Sequence, residues 1–125
     1  MNAEHPPLIY LAALLLLAAC GRPPDRPEWP AFGGNADRGA TTLNQASCGA
    51  CHEIPGIPQA RGLVGPPLTH FSRRTTIAGL LPNTPANLVW WIRYPQRAVP
   101  GNDMPDSGLP DAQAREAAAY LYTLR

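Results

Sequence analysis

Apolar residues are spread unevenly along this 125-residue chain. Leu8 to Ala19 is an unbroken apolar run, too short to cross a bilayer as a helix but of the length expected for the apolar centre of a signal peptide. Gly21 to Gly34 carries Pro23, Pro24, Pro27 and Pro30, which favours an extended polyproline II leash with a reach of roughly 40 Å. Within it, Trp29 and Phe32 could rest at a membrane interface or on the domain. From Asn35 onward the pattern becomes helical. Asp37 can cap a helix running through Leu43 to Ser47, and Gly39 leaves room for a second helix to cross it closely. The expected partner is the last helix, about Asp111 to Leu124, where Ala114, Ala117, Ala118 and Leu121 recur as an apolar core stripe.

Between these two segments, Gly65-Pro66-Pro67-Leu68 reads as a rigid turn. Thr84 and Pro85 open a further helix as N-cap and first helical residue. Leu88, Trp91 and Ile92 share one of its faces, and Pro95 is expected to stop it. Pro100, Gly101, Pro105, Gly108 and Pro110 then mark a loop stiffened at many points. With 16 Pro and 11 Gly, the chain reads as all-α, with about four to five short helices and Pro/Gly-rich loops. The division expected is residues 1–19 as signal peptide, 20–34 as linker and 35–125 as the folded domain.

Charge changes this picture little. Every basic residue is Arg, and beyond position 19 ten Arg face eight acids. Arg73, Arg74, Arg93 and Arg97 are spread as on an ordinary solvated surface, and no feature resembles a nucleic-acid binder.

The three cysteines carry the chemistry. Cys48-Gly49-Ala50-Cys51-His52 has the spacing by which c-type haem is attached. Two thiols three positions apart lie on one side of a helical turn, where both can add to the vinyl groups of one porphyrin edge. The next residue can then supply imidazole to the iron. A structural zinc would need two more ligands at suitable spacing, and only Cys20, His5 and His70 remain. A thiol redox centre would call for a strand before the pair and a βαβ pattern around it. The adjoining His52 decides for haem. About 90 residues bury only a modest core, so one covalent haem would form much of the packing. The third cysteine ends Leu17-Ala18-Ala19-Cys20, which looks like a bacterial lipobox. That resemblance implies cleavage before Cys20 and its acylation, giving a protein tethered to a membrane. The residues before the apolar run depart from the usual signal, with Glu4 and no Lys or Arg.

Met104 lies in the stiffened loop and is the sole methionine besides Met1. A lone Met is ordinarily core filler, but its soft thioether suits ferrous iron and raises the reduction potential. Met104 is therefore expected as the sixth ligand opposite His52. His70, close after the motif, is the competitor and reads as an ordinary exposed or core histidine.

Taken together, the residues resemble a mono-haem class I cytochrome c over about Asn35 to Arg125. The nearest likeness is to the cytochrome c domain at the tail of subunit II of caa-type haem-copper oxidases. It rests on Gly65-Pro66-Pro67-Leu68-Thr69-His70, Leu81-Pro82-Asn83-Thr84-Pro85, Asn87-Leu88, Trp91-Ile92-Arg93, Pro95-Gln96, Pro100-Gly101 and Met104-Pro105. The resemblance implies a small cytochrome c fold with Pro66, Leu68, Arg74 and Trp91 around the haem. The Pro66 carbonyl would accept from the axial histidine, Arg74 would bracket a propionate, and Trp91 would lie beside the sixth ligand. Trp90 has no such match.

The text of this chain has a lipid signal and leash where that subunit has copper-binding and membrane-spanning parts. A stand-alone lipoprotein is therefore expected on the periplasmic or outer face of a bacterial inner membrane. It would take electrons from a quinol-oxidising complex or a dehydrogenase and give them to a terminal oxidase. Two strong axial ligands would leave no place for a small-molecule substrate, so no enzymatic activity is expected. The alternatives are a haem-bearing accessory or fused-type subunit of an oxidase or dehydrogenase complex, or a peroxidase or gas sensor with a vacant sixth site.

Overall fold

The structure, a computed structural model, describes residues 33–125; the apolar run, Cys20 and most of the Pro-rich leash lie outside the described residues. Helix α1, Ala36–Gln45, is capped by Asn35 rather than by Asp37. Asn35 has extended backbone and its side chain accepts from the Arg38 N–H at 2.9 Å. Asp37 lies inside the first turn, where its negative charge complements the positive helix end.

Helix α4, Asp111–Leu121, crosses α1 at Gly39. A Cβ at position 39 would overlap the main-chain carbonyl of Glu116 and come within 2.9 Å of the Tyr120 Cβ, so the crossing requires glycine. Ala114, Ala117, Ala118 and Leu121 of α4 are buried, as their spacing predicts. Polar links sit at the same crossing: Arg38 Nε donates to Glu116 Oε1 at 2.6 Å, and the Thr42 hydroxyl to Glu116 Oε2 at 3.2 Å.

Helix α2, Pro85–Arg93, has Thr84 as N-cap, accepting from the Asn87 N–H at 3.3 Å, and Pro85 at its start. Its core face is Leu88, Val89 and Ile92, packed with the α4 stripe, while Trp91 is only half-buried. Pro95 does more than stop this helix, because a second, short helix α3, Pro95–Ala98, begins on it. A proline loses nothing at a first helical position, since the N–H it lacks has no partner there. Arg93 joins the two chain segments by donating to the Leu109 carbonyl and to Asp111, each at 3.2 Å. Hydrogen bonding from Arg115 holds the Asp111 carboxyl below its usual range, with the charges of Arg115 and Arg93 adding to the effect.

Two 3₁₀ turns, Cys48–Ala50 and Phe71–Arg73, and an antiparallel ribbon of β1, Thr76–Ile77, with β2, Leu81–Pro82, complete the regular structure of the described residues. This two-stranded ribbon is an addition to the expected helices. Asn83, just after it, ties three segments together. Its amide donates to the carbonyls of Phe71 and Arg74 at 3.2 and 2.9 Å, and its oxygen accepts from the Tyr122 hydroxyl at 2.8 Å. Burial pushes that hydroxyl up from the usual 10 to about 12. The unfolded chain therefore loses the phenolic proton before the folded chain does. The resulting stability is full below about pH 10 and is lost as pH rises through about 12. Tyr122→Phe is expected to flatten that alkaline decline, measured by urea unfolding across the same range.

Candidate functional site

The attachment motif folds as one turn. Ser47 enters it in the left-handed region, and the Cys48 carbonyl accepts from the N–H groups of Cys51 and His52 at 3.2 and 3.0 Å. Cys48 and Cys51 are not joined in a disulfide, and both are half-buried. Burial raises the Cys48 thiol above its usual range, with partial opposition from a backbone hydrogen bond.

His52 follows on the wall of a cavity of about 290 Å³. Its Nδ1 lies 2.7 Å from the Pro66 carbonyl. A carbonyl oxygen carries no proton, so Nδ1 donates, and Nε2 is left with a lone pair available to a metal. The ring fits because residue 65 is glycine: a Cβ there would fall within 2.9 Å of Nε2 and closer still to other ring atoms. The loop carrying Pro66 is held from below by Arg74, whose Nη2 donates to the Pro67 carbonyl and, at 3.3 Å, to the Thr69 carbonyl. The same guanidinium lies 5.3 Å from the centre of the Phe71 ring.

Of the residues singled out in the sequence, Cys51, His52, Pro66, Leu68, Arg74, Trp91 and Met104 all line this one cavity. Cys48 is on the same turn as Cys51 and packs against the core. His70 is exposed and absent from the cavity wall, and Trp90 is 41% exposed on the outside of α2. The sequence reading missed Val64, Phe71 and Ile77, which also line the cavity. Nothing in an isolated apolar residue separates a cofactor wall from ordinary core. Arg74 has work besides any propionate contact, since it pins the loop that presents Pro66. Among the described residues no cluster of three or more His, Cys, Asp or Glu could hold a metal ion.

A helical domain with a Cys-x-x-Cys-His turn and a methionine on one mostly apolar cavity defines a c-type haem protein. The match with relatives agrees, and the chain belongs to the cytochrome c family, whose model, described as Cytochrome c, covers residues 36–125. It is similar to cytochrome c oxidase subunit 2 of Alkalihalophilus pseudofirmus, with 38% identity over 90 residues, 72% of this chain and 25% of the relative. The corresponding subunit of Bacillus sp. strain PS3 is 32% identical over 94 residues, 72% of this chain and 26% of the relative. A cytochrome c-type protein, cyt cy, of Rhodobacter capsulatus is 34% identical over 100 residues, 73% of this chain and 50% of the relative. The chain thus spans a quarter to a half of the curated relatives it matches. No solved structure matches it. Cytochromes c are electron carriers with covalently bound haem c, and the Cys51 thiol, the His52 imidazole and the Met104 thioether on one apolar cavity, with Cys48 on the adjoining turn, fit that group.

Proposed function

We propose that this protein is a membrane-tethered one-electron carrier with a single haem c, attached through Cys48 and Cys51 and ligated by His52 and Met104. Bound there, the haem iron supplies reversible one-electron chemistry near a potential set by its axial ligands. The observation that carries the reading is the presence of Cys51, His52 and Met104 on one cavity, with the His52 tautomer held by Pro66. The surrounding residues bind and orient. The Pro66 carbonyl accepts from Nδ1 and so orients the ring with Nε2 as the nitrogen left for iron, and Gly65 lets the imidazole seat without a clash. Leu68, Phe71 and Ile77 keep the wall apolar, and Arg74 offers a cation to a haem carboxylate.

Acylation of Cys20 would tether the carrier to a bacterial membrane, on the periplasmic or outer face, with the Pro-rich leash giving it reach. A terminal oxidase as electron acceptor is supported by the likeness to two proteins called cytochrome c oxidase subunit 2. A quinol-oxidising complex or dehydrogenase would be the donor. The test is the mass and haemochrome spectrum of mature protein made in a cell able to attach haem. Expected are one covalent haem and an acylated Cys20 terminus, with Cys48→Ser plus Cys51→Ser colourless. Pigment released into acid acetone would overturn the attachment. A high-spin oxidised spectrum would favour a peroxidase or gas sensor.

With no Lys and near-balanced charge, steering by long-range fields is weak, and tethering replaces it by raising effective concentration. Turnover with the oxidase is expected to change little as ionic strength rises. A steep loss of rate with added salt would contradict this.

A further inference from the structure

The loop that carries Met104 is held by two side-chain amides that no haem chemistry requires. Asn102 Nδ2 donates back to the carbonyls of Pro95 and Val99 at 2.9 and 2.7 Å, and Asn102 Oδ1 accepts from the Met104 N–H at 2.7 Å. Gln96 Nε2 donates to the carbonyls of Asn102 and Met104 at 2.6 and 3.1 Å. Met104 is therefore gripped at both main-chain polar groups, its N–H by one amide and its carbonyl by the other. Each grip leads back to the single turn of α3.

This arrangement matters because the prolines of the loop fix individual φ angles, whereas no hydrogen-bonded element of its own fixes where Met104 stands. Gly101 and Gly108 on either side adopt positive φ, and no regular element is found between α3 and α4. A methionine side chain with three rotatable bonds reaches the cavity from a backbone whose position the two amides decide. Without the clamp, the loop samples positions that withdraw the sulfur, and the ordering cost falls on the ligand bond itself.

We infer that Asn102 and Gln96 are positioning residues that hold Met104 on the iron and so set how easily an outside ligand displaces it. This rests on Met104 being the sixth ligand. Loss of one or two net hydrogen bonds from the loop should shift the balance between ligated and open forms by on the order of tenfold. The part-buried Asn102 makes three bonds and should have the larger effect; Gln96 is exposed and can be changed with less risk to the fold.

The test uses haem-loaded full-length protein carrying Asn102→Ala, Asn102→Asp, Gln96→Met or Met104→Ala. It reads the far-red band of iron–methionine coordination and the rate of carbon monoxide uptake after reduction. Asn102→Ala and Gln96→Met should each weaken the band and speed uptake, Asn102→Ala by about tenfold. Asn102→Asp keeps the acceptor for Met104 but has no amide donors, so it should also speed uptake. Unchanged band and uptake in Gln96→Met and Asn102→Asp, while Met104→Ala loses the band, would overturn the clamp and leave the ligand intact. A band that survives Met104→Ala would overturn the ligand reading and the clamp with it.

Discussion

Met104→Ala protein, matured with haem, is expected to lose its far-red band, take up carbon monoxide rapidly when reduced, and show a lower reduction potential. Axial ligation covers a range of about 0.8 V, and replacement of a thioether by water or a stronger donor should lower the potential by on the order of 0.1 to 0.3 V. Met104 stands on the wall of the cavity that also holds His52, whose proton sits on the nitrogen facing Pro66. On the proposed ligation by His52 and Met104, removal of the thioether would free one axial position while His52 would keep the other. Electron delivery to the proposed oxidase acceptor should fall with the driving force even though the domain remains folded. Redox titration with carbon monoxide kinetics measures both consequences. An unchanged potential and an unchanged spectrum would mean that some other group ligates the iron.

Gly39→Ala is expected to destabilise the domain by more than about 2 kcal/mol, against the sign that helix propensity predicts. In an open helix the same change would stabilise by up to about 1 kcal/mol. Position 39 differs because the obstacle to a Cβ is the Glu116 carbonyl, a main-chain atom that cannot rotate aside. Either α4 moves outward or α1 shifts, and both responses disturb the buried contacts of Leu43, Ala117 and Leu121. Thr41→Ala, on the exposed side of the same helix, should instead be neutral or stabilising by a few tenths of a kcal/mol. Guanidinium unfolding of the haem-loaded proteins, followed by helical circular dichroism, compares the two. Equal midpoints for wild type and Gly39→Ala would show that the helices separate at little cost.

Several features are legible in the sequence because their physics is local. The Cys48 to His52 turn needs only residue spacing, the Thr84-Pro85 start only the orphan N–H groups of a helix end, and the α4 stripe only helical periodicity. Gly39 was legible for a related reason: a small residue on an expected helix face marks a close crossing. Where two local signals compete, the sequence discriminates poorly. Asn35 and Asp37 can both cap, and the choice fell to the residue whose backbone remained extended. Pro95 shows the same ambiguity, since the residue that ends one helix is also well suited to begin the next.

By itself the sequence determined the fold class of short helices and Pro/Gly-rich loops, and it singled out the residues proposed to attach haem and ligate its iron. Only the tertiary structure decided how those residues are held. Arg74 pins the Pro66 loop, Asn83 joins the ribbon to the last helix, and Gln96 and Asn102 grip Met104 through main-chain carbonyls and an N–H. Every residue except proline carries both of those groups, so their pairing leaves no mark in the sequence and emerges only when the chain is folded.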